Sequence, residues 1–191
     1  MHKDGRFFGT CYLTHSTNPV KYKEWFFQQG QSAKLLTEAV QRLTMVEERT
    51  DLQKIVQLLK MYRNSFCNEC GVEHDDKPIS IIITTLAAKV FEKMKYNNIF
   101  DLFCKMAYAL EDYITKIDNL FYVYNPVDLE ENFADKLAQY PKRQDWFFRW
   151  LDSLKTDAKL IKNDYQSDLS EGVKRLFGEN IENKLKELNL L

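Results

Sequence analysis

Two stretches of this chain carry residue types that hold ions or neutralise charge. In Cys67-x-x-Cys70-x-x-x-His74, two thiols and an imidazole have the spacing of ligands for a tetrahedral zinc ion. A closed structural site needs a fourth ligand, to be drawn from Cys11, His15, Asp75 or Asp76; the alternative is a pair of unligated thiols at a helix end. Lys60 and Ser80 form the other candidate pair. Lys60 borders the apolar stripe of its helix, where a lysine stem covers the core edge and its ammonium stays wet. Ser80 follows Lys77-Pro78 in the first turn of a helix, where free N–H groups and a hydroxyl make either a cap or an anion cradle. Asn125, Asn132 and Asp135 suit turns and local backbone bonds. The acidic pairs Asp75-Asp76 and Asp128-x-Glu130 fall on expected loops or helix starts.

Helices must position these groups. Thr17-Asn18-Pro19 reads as a helix start, with Tyr22, Trp25 and Phe26 on one side and Gly30 at the end. A second helical stretch begins near Ser32. Thr50-x-x-Gln53 has the form of a capping box. The helix after it repeats Leu52, Ile55, Val56, Leu59, Tyr62 and Phe66 as one apolar stripe. Cys67 to Asp76 reads as a polar loop. Pro78 and the unbroken run to Ala88 favour a buried helix over the strand that Ile81-Ile82-Ile83 alone would suggest. The spacing from Ile99 to Leu120 predicts one long helix, and a shorter one is expected around Asn132 to Ala138. Past the break at Tyr140-Pro141, Trp146, Phe147, Trp150, Leu151, Leu154, Leu160 and Ile161 lie along a long amphipathic helix. At helical spacing these aromatics, like Tyr22, Trp25 and Phe26, read as core rather than base-stacking platforms. Two short helices around Phe177-Gly178 close the chain.

The 191 residues, 45% apolar and 29% charged, make one domain's worth of chain with a sizeable core. Six glycines and four prolines are too few for a turn-rich β-sandwich or barrel. The expected fold is mainly α: one helical bundle over residues 16–191, preceded by an extended segment, 1–15. Within that segment Phe7 to Leu13 could form one short strand, which alone cannot satisfy its edges. With 27 Lys+Arg against 28 Asp+Glu, the charge balance gives no strong nucleic-acid signal. No apolar run approaches the roughly 18–20 residues that span a bilayer. Four cysteines are too few for a disulfide scaffold, and a cytoplasmic location is expected.

Four segments, taken in order, resemble one family. They are Asn18-Pro-Val-Lys-Tyr-Lys-Glu-Trp-Phe26, Leu58-Leu-Lys-Met-Tyr-Arg-Asn64, Lys77-Pro-Ile-Ser-Ile-Ile-Ile-Thr-Thr-Leu-Ala-Ala88 and Asn125-Pro-Val-Asp-Leu-Glu-Glu-Asn-Phe-Ala-Asp135. Their sequence is similar to the C-terminal helical half of the CD-NTases, bacterial nucleotidyltransferases related to cyclic GMP-AMP synthase and oligoadenylate synthetase. That family makes cyclic oligonucleotide signals in anti-phage defence. The resemblance runs from about residue 14 to about residue 178.

The resemblance implies that Lys60 and Ser80 contact the triphosphate of a nucleoside triphosphate, and that Asn132 lies at the nucleotide site. It also implies a catalytic sheet with a Gly-Ser motif and acidic residues holding Mg²⁺. This chain has neither a Gly-Ser dipeptide nor an Asp-x-Asp. The expectation is therefore a helical wall of a nucleotide cleft, inactive alone, with Mg²⁺ and NTP used only in a complete enzyme. Its partner would be the missing catalytic core or a full-length synthase. The competing expectation is a non-enzymatic helical interaction or regulatory module, clipped by zinc at Cys67, Cys70 and His74.

Overall fold

A computed structural model describes residues 18–31, 49–164 and 177. The expectations for residues 1–15, for the helical stretch after Ser32 and for the closing helices fall outside the described residues, as do Cys11 and His15.

Helix α1 (Pro19–Gln31) starts where Asn18-Pro19 predicts, and the Asn18 carboxamide oxygen accepts the Lys21 N–H at 3.0 Å. Helix α2 (Asp51–Glu69) opens on the expected capping box. Gln53 N donates to the Thr50 hydroxyl at 3.2 Å and Thr50 N donates to the Gln53 side chain at 2.9 Å. This reciprocal pair satisfies two N–H groups that a helix start otherwise leaves open. All six stripe residues of α2 are buried. The helix packs against α1, α3, α4 and α6 and forms the centre of the bundle.

Helix α3 (Ser80–Phe91) is the buried helix that Pro78 favours: Ile82 to Ala88 are all buried. Its two buried threonines are satisfied, Thr84 by donating to Ser80 O at 2.8 Å and Thr85 through the Tyr22 hydroxyl at 2.8 Å. Burial pushes the Tyr22 phenol up to about 12, with the Thr85 bond working against it.

Helix α4 (Ile99–Ala109), capped by Asn98, stops eleven residues short of the expected end at Leu120. A single 3-10 turn follows over Glu111–Tyr113. Strands β1 (Thr115–Ile117) and β2 (Leu120–Tyr122) then pair antiparallel, Ile117 opposite Leu120. Asp118 and Asn119 make the turn with φ of 49° and 63°. Two such residues in the left-handed region form the tight hairpin turn whose twist suits the strands, and Asp and Asn tolerate it. The stripe Tyr113, Ile114, Ile117, Leu120 fits a helix period, but Ile114, Thr115, Ile117, Phe121 and Tyr122 are also good strand formers. The turn chemistry decides between them.

A second ribbon pairs β3 (Tyr124–Asn125) with β4 (Asp128–Asn132). Helix α5 (Asp135–Gln139) therefore begins three residues later than the helix expected from Asn132. Pro141 is the first residue of α6 (Pro141–Asp164), which lies along α4 and buries Phe147, Trp150, Leu151, Leu154, Ala158 and Ile161. Phe177 reaches the same core, its ring edge-on to Phe103 at 5.8 Å. The architecture is mainly α, as expected; in the aromatic stripe of α6, Phe147 and Trp150 are core and Trp146 is half-buried. Among the described residues, no helix is long and apolar enough to cross a membrane.

Candidate functional site

Lys60 and Arg63 lie one turn apart on α2, so their side chains leave the same face of the helix. Both are half-buried. Burial lowers the Lys60 ammonium below the usual lysine range, and the neighbouring Arg63 charge lowers it further. The Arg63 guanidinium spans to the start of α3. Its Nη1 donates to the Ser80 hydroxyl at 2.5 Å and to the Pro78 carbonyl at 3.2 Å. Its Nε and Nη2 both donate to the Asn64 carboxamide oxygen, at 3.2 and 2.8 Å. Lys77 sits close by, and its charge, like that of Arg63, pulls down the Cys67 thiol that burial otherwise pushes up.

Among the described residues, no carboxylate lies within ion-pair distance of Lys60, Arg63 or Lys77. All the groups that accept from Arg63 are neutral. Half-buried positive charge without a counter-charge carries a desolvation cost that an arriving anion would offset. The first turn of α3 adds its N–H groups beside the Ser80 hydroxyl, a further attraction for negative charge. Arg63, a residue that sequence reasoning passed over, thus neighbours Lys60 on α2 and bonds Ser80 on α3. Its signal was the i, i+3 spacing from Lys60.

No protein-family model matches the chain. Over 154 residues it is 27% identical to a c-di-GMP synthase of Roseivirga ehrenbergii, a match covering 76% of this chain and 40% of that protein. Among solved structures, the fold matches the Bradyrhizobium diazoefficiens CD-NTase CdnG in complex with GTP. The TM-score is 0.62 at 18% identity, over 90% of this chain and 55% of that one. The chain is thus similar in sequence to this c-di-GMP synthase and shares the fold of this CD-NTase. It spans between two-fifths and just over half the length of these two relatives.

The other residues singled out by sequence make local contacts. Asn132 lies in the ribbon rather than on a helix. Its Oδ1 accepts from Val123 N and Ala134 N, both at 2.9 Å, and its Nδ2 donates to Phe121 O at 3.0 Å. Asn125 is fully buried; its Nδ2 donates to Glu131 at 2.6 Å and its Oδ1 accepts from Val127 N at 3.1 Å. Asp135 is exposed, and its Oδ1 accepts from the adjacent Lys136 N at 2.6 Å.

The zinc expectation finds no support among the described residues. The α2 helix continues to Glu69, two residues past Cys67, where a loop was expected, and this places the Cys67 thiol in the core at 1% exposure. Cys70 is exposed at the helix end, and the His74 side chain, 95% exposed, meets only Asp75. Among the described residues, no group of three or more His, Cys, Asp or Glu side chains could hold a metal ion. The acidic pairs are engaged otherwise. Asp76 pairs with Lys142 at 2.9 Å, and Asp128 Oδ1 accepts from Glu130 N at 3.2 Å. The donor set that Mg²⁺ requires does not occur among the described residues.

A recess of about 280 Å³ lies between α4 and the last turns of α6. Asp101, Cys104, Lys105, Tyr108 and Lys162 line it, and neither Lys60, Ser80 nor Asn132 does.

Proposed function

We propose that this chain forms the helical wall of the nucleotide cleft in a CD-NTase-like nucleotidyltransferase that makes cyclic nucleotides for anti-phage signalling. Lys60 and Ser80 grip the triphosphate of a nucleoside triphosphate. A catalytic sheet with its own acidic residues and Mg²⁺ carries out the transfer, in a full-length synthase or as a partner of this chain. The observation that carries the reading is the half-buried pair Lys60 and Arg63, the latter bonded to Ser80, with no carboxylate in ion-pair distance among the described residues. The c-di-GMP synthase relative and the GTP complex of the structural neighbour support the same ligand class.

The described residues do not supply a metal clamp, so they take no step through Mg²⁺. They bind and orient phosphate. Held on two packed helices, they offer fixed charge where the pyrophosphate would sit, and fixed donors lose little on binding. On this reading the chain alone transfers no nucleotide, and its place is in the cytoplasm.

Thermal unfolding with and without GTP, ATP or inorganic tripolyphosphate tests the reading. A ligand at one hundred times its Kd stabilises the native form by about 2.7 kcal/mol, or about 5–10 °C for a chain of this size. We expect that shift in the natural chain and its loss in Lys60→Gln. An unshifted melting point in the natural chain, or an equal shift in Lys60→Gln, refutes it. Labelled product formed from NTP and Mg²⁺ by this chain alone overturns the claim of inactivity.

A further inference from the structure

We infer that Arg63 is a third phosphate-binding residue of this site, and that it is what selects a polyphosphate chain over a single phosphate. The inference rests on the proposed phosphate role of Lys60 and Ser80 and adds to it.

The geometry around Arg63 is that of a cation locked in place before any ligand arrives. A guanidinium has five N–H donors in a rigid plane. Here Nε and one Nη2 hydrogen go to Asn64, and the two Nη1 hydrogens go to Pro78 O and Ser80 Oγ. One Nη2 hydrogen is left over. Four bonds to neutral acceptors fix the plane without cancelling the charge, so the full positive charge stays available to a ligand. A surface arginine that merely braced two helices would do so equally well through a carboxylate; this one has none among the described residues.

The bond to Ser80 also sets the direction of the serine proton. Because the Ser80 oxygen accepts from Arg63, its own hydrogen points elsewhere, and no acceptor takes it among the described residues. Ser80 is exposed. Its O–H, polarised by a bound cation, is therefore a ready donor to an anion. Lys60, one helical turn back, has no hydrogen-bond or ion-pair partner among the described residues either.

Three donors of different kinds result: a mobile ammonium, the one remaining N–H of a fixed guanidinium and an oriented hydroxyl. A single phosphate can meet the ammonium or the guanidinium and hydroxyl, but a chain of phosphates can meet all three at once. Lysine at position 63 would keep the charge and lose the fork, and with it the hold on Ser80. Selectivity for the chain, rather than attraction for anions in general, is what Arg63 adds.

Calorimetric titration of the 191-residue chain with inorganic tripolyphosphate and, separately, orthophosphate tests this. Arg63→Lys should weaken tripolyphosphate about tenfold or more while orthophosphate changes less, so the ratio of the two affinities shrinks. Ser80→Ala should cost clearly less in the Arg63→Lys background than in the natural chain, since the two act as one unit. Lys60→Gln should weaken both ligands. Melting of each variant without ligand confirms that it is folded, and Arg63→Lys keeps the experiment decisive if Arg63→Gln does not fold. If Arg63→Lys binds tripolyphosphate as the natural chain does while Lys60→Gln does not, the role of Arg63 is refuted and the site stands. If both ligands weaken equally in Arg63→Lys, Arg63 supplies charge alone and the selectivity is refuted. If Lys60→Gln binds unchanged, or the natural chain does not bind, the site itself falls.

Discussion

Replacing Asn132 by alanine separates a structural carboxamide from a ligand contact. The Asn132 side chain closes three backbone groups at once: Val123 N and Ala134 N onto Oδ1, and Phe121 O onto Nδ2, all between 2.9 and 3.0 Å. Val123 is buried, so its N–H finds no easy replacement in water. Each such bond contributes about 0.5–1.5 kcal/mol net, and orphaning a buried donor sits at or above the upper end of that range. Asn132→Ala should therefore destabilise the chain by about 2–4 kcal/mol, lowering the melting midpoint by roughly 4–16 °C for this size of domain. Urea unfolding provides the measurement, with an unchanged slope showing that the same surface is exposed on unfolding. Asn132→Asp, which keeps the two-way acceptor but sets an anion against the Phe121 carbonyl, should fall between alanine and the natural residue. A cost below about 0.5 kcal/mol would refute the reasoning. So would intact stability accompanied by lost tripolyphosphate binding, which would return Asn132 to the ligand role that sequence assigned it.

Two further outcomes follow from features of the fold. Thr50→Ala should cost about 1 kcal/mol in urea unfolding, and adding Gln53→Ala should cost little more, because the two side chains serve one reciprocal cap. Tyr22 has a folded-state pKa of about 12 against 10 for the free phenol, so in the unfolded chain it loses its proton first and stability falls as pH rises from 10 towards 12. Tyr22→Phe should remove its share of that fall, at the expense of the Thr85 bond near neutrality; urea midpoints across this pH range check it, and an unchanged slope would refute the burial argument.

The sequence carried most of the helices because their ends are marked by local chemistry. Asn18-Pro19, Thr50-x-x-Gln53 and Pro141 each mark a helix start, Pro78 stands two residues before one, and the α2 stripe is buried as spaced, as is the α6 stripe except at half-buried Trp146 and Leu160. The ribbons after α4 were hidden because β-branched and aromatic residues between Tyr113 and Val123 satisfy two periods at once. Only the Asp118-Asn119 turn distinguished them, and it is a weaker mark than proline or glycine. Within the site, Lys60 and Ser80 were legible through a resemblance that supplied their roles. Arg63 was not, since an arginine on a helix face is ordinary until the segment carrying Pro78 and Ser80 folds back against it. The zinc spacing failed for a similar reason. Cys67 and Cys70 share one side of the helix end, but Cys67 is buried in the core while the His74 side chain is exposed and bonds Asp75, so the three do not gather around one point.

Gly30 gives α1 its place. A side-chain carbon added there would lie 3.1 Å from the Thr50 hydroxyl oxygen, so the end of α1 rests directly on the cap of α2. The same helix reaches α3 through Tyr22 and Thr85. Thus α1 works as a strut wedged between the two helices that bear Lys60 and Ser80. A push on its outer face would bear on both of those helices at once, through Thr50 on one side and Thr85 on the other.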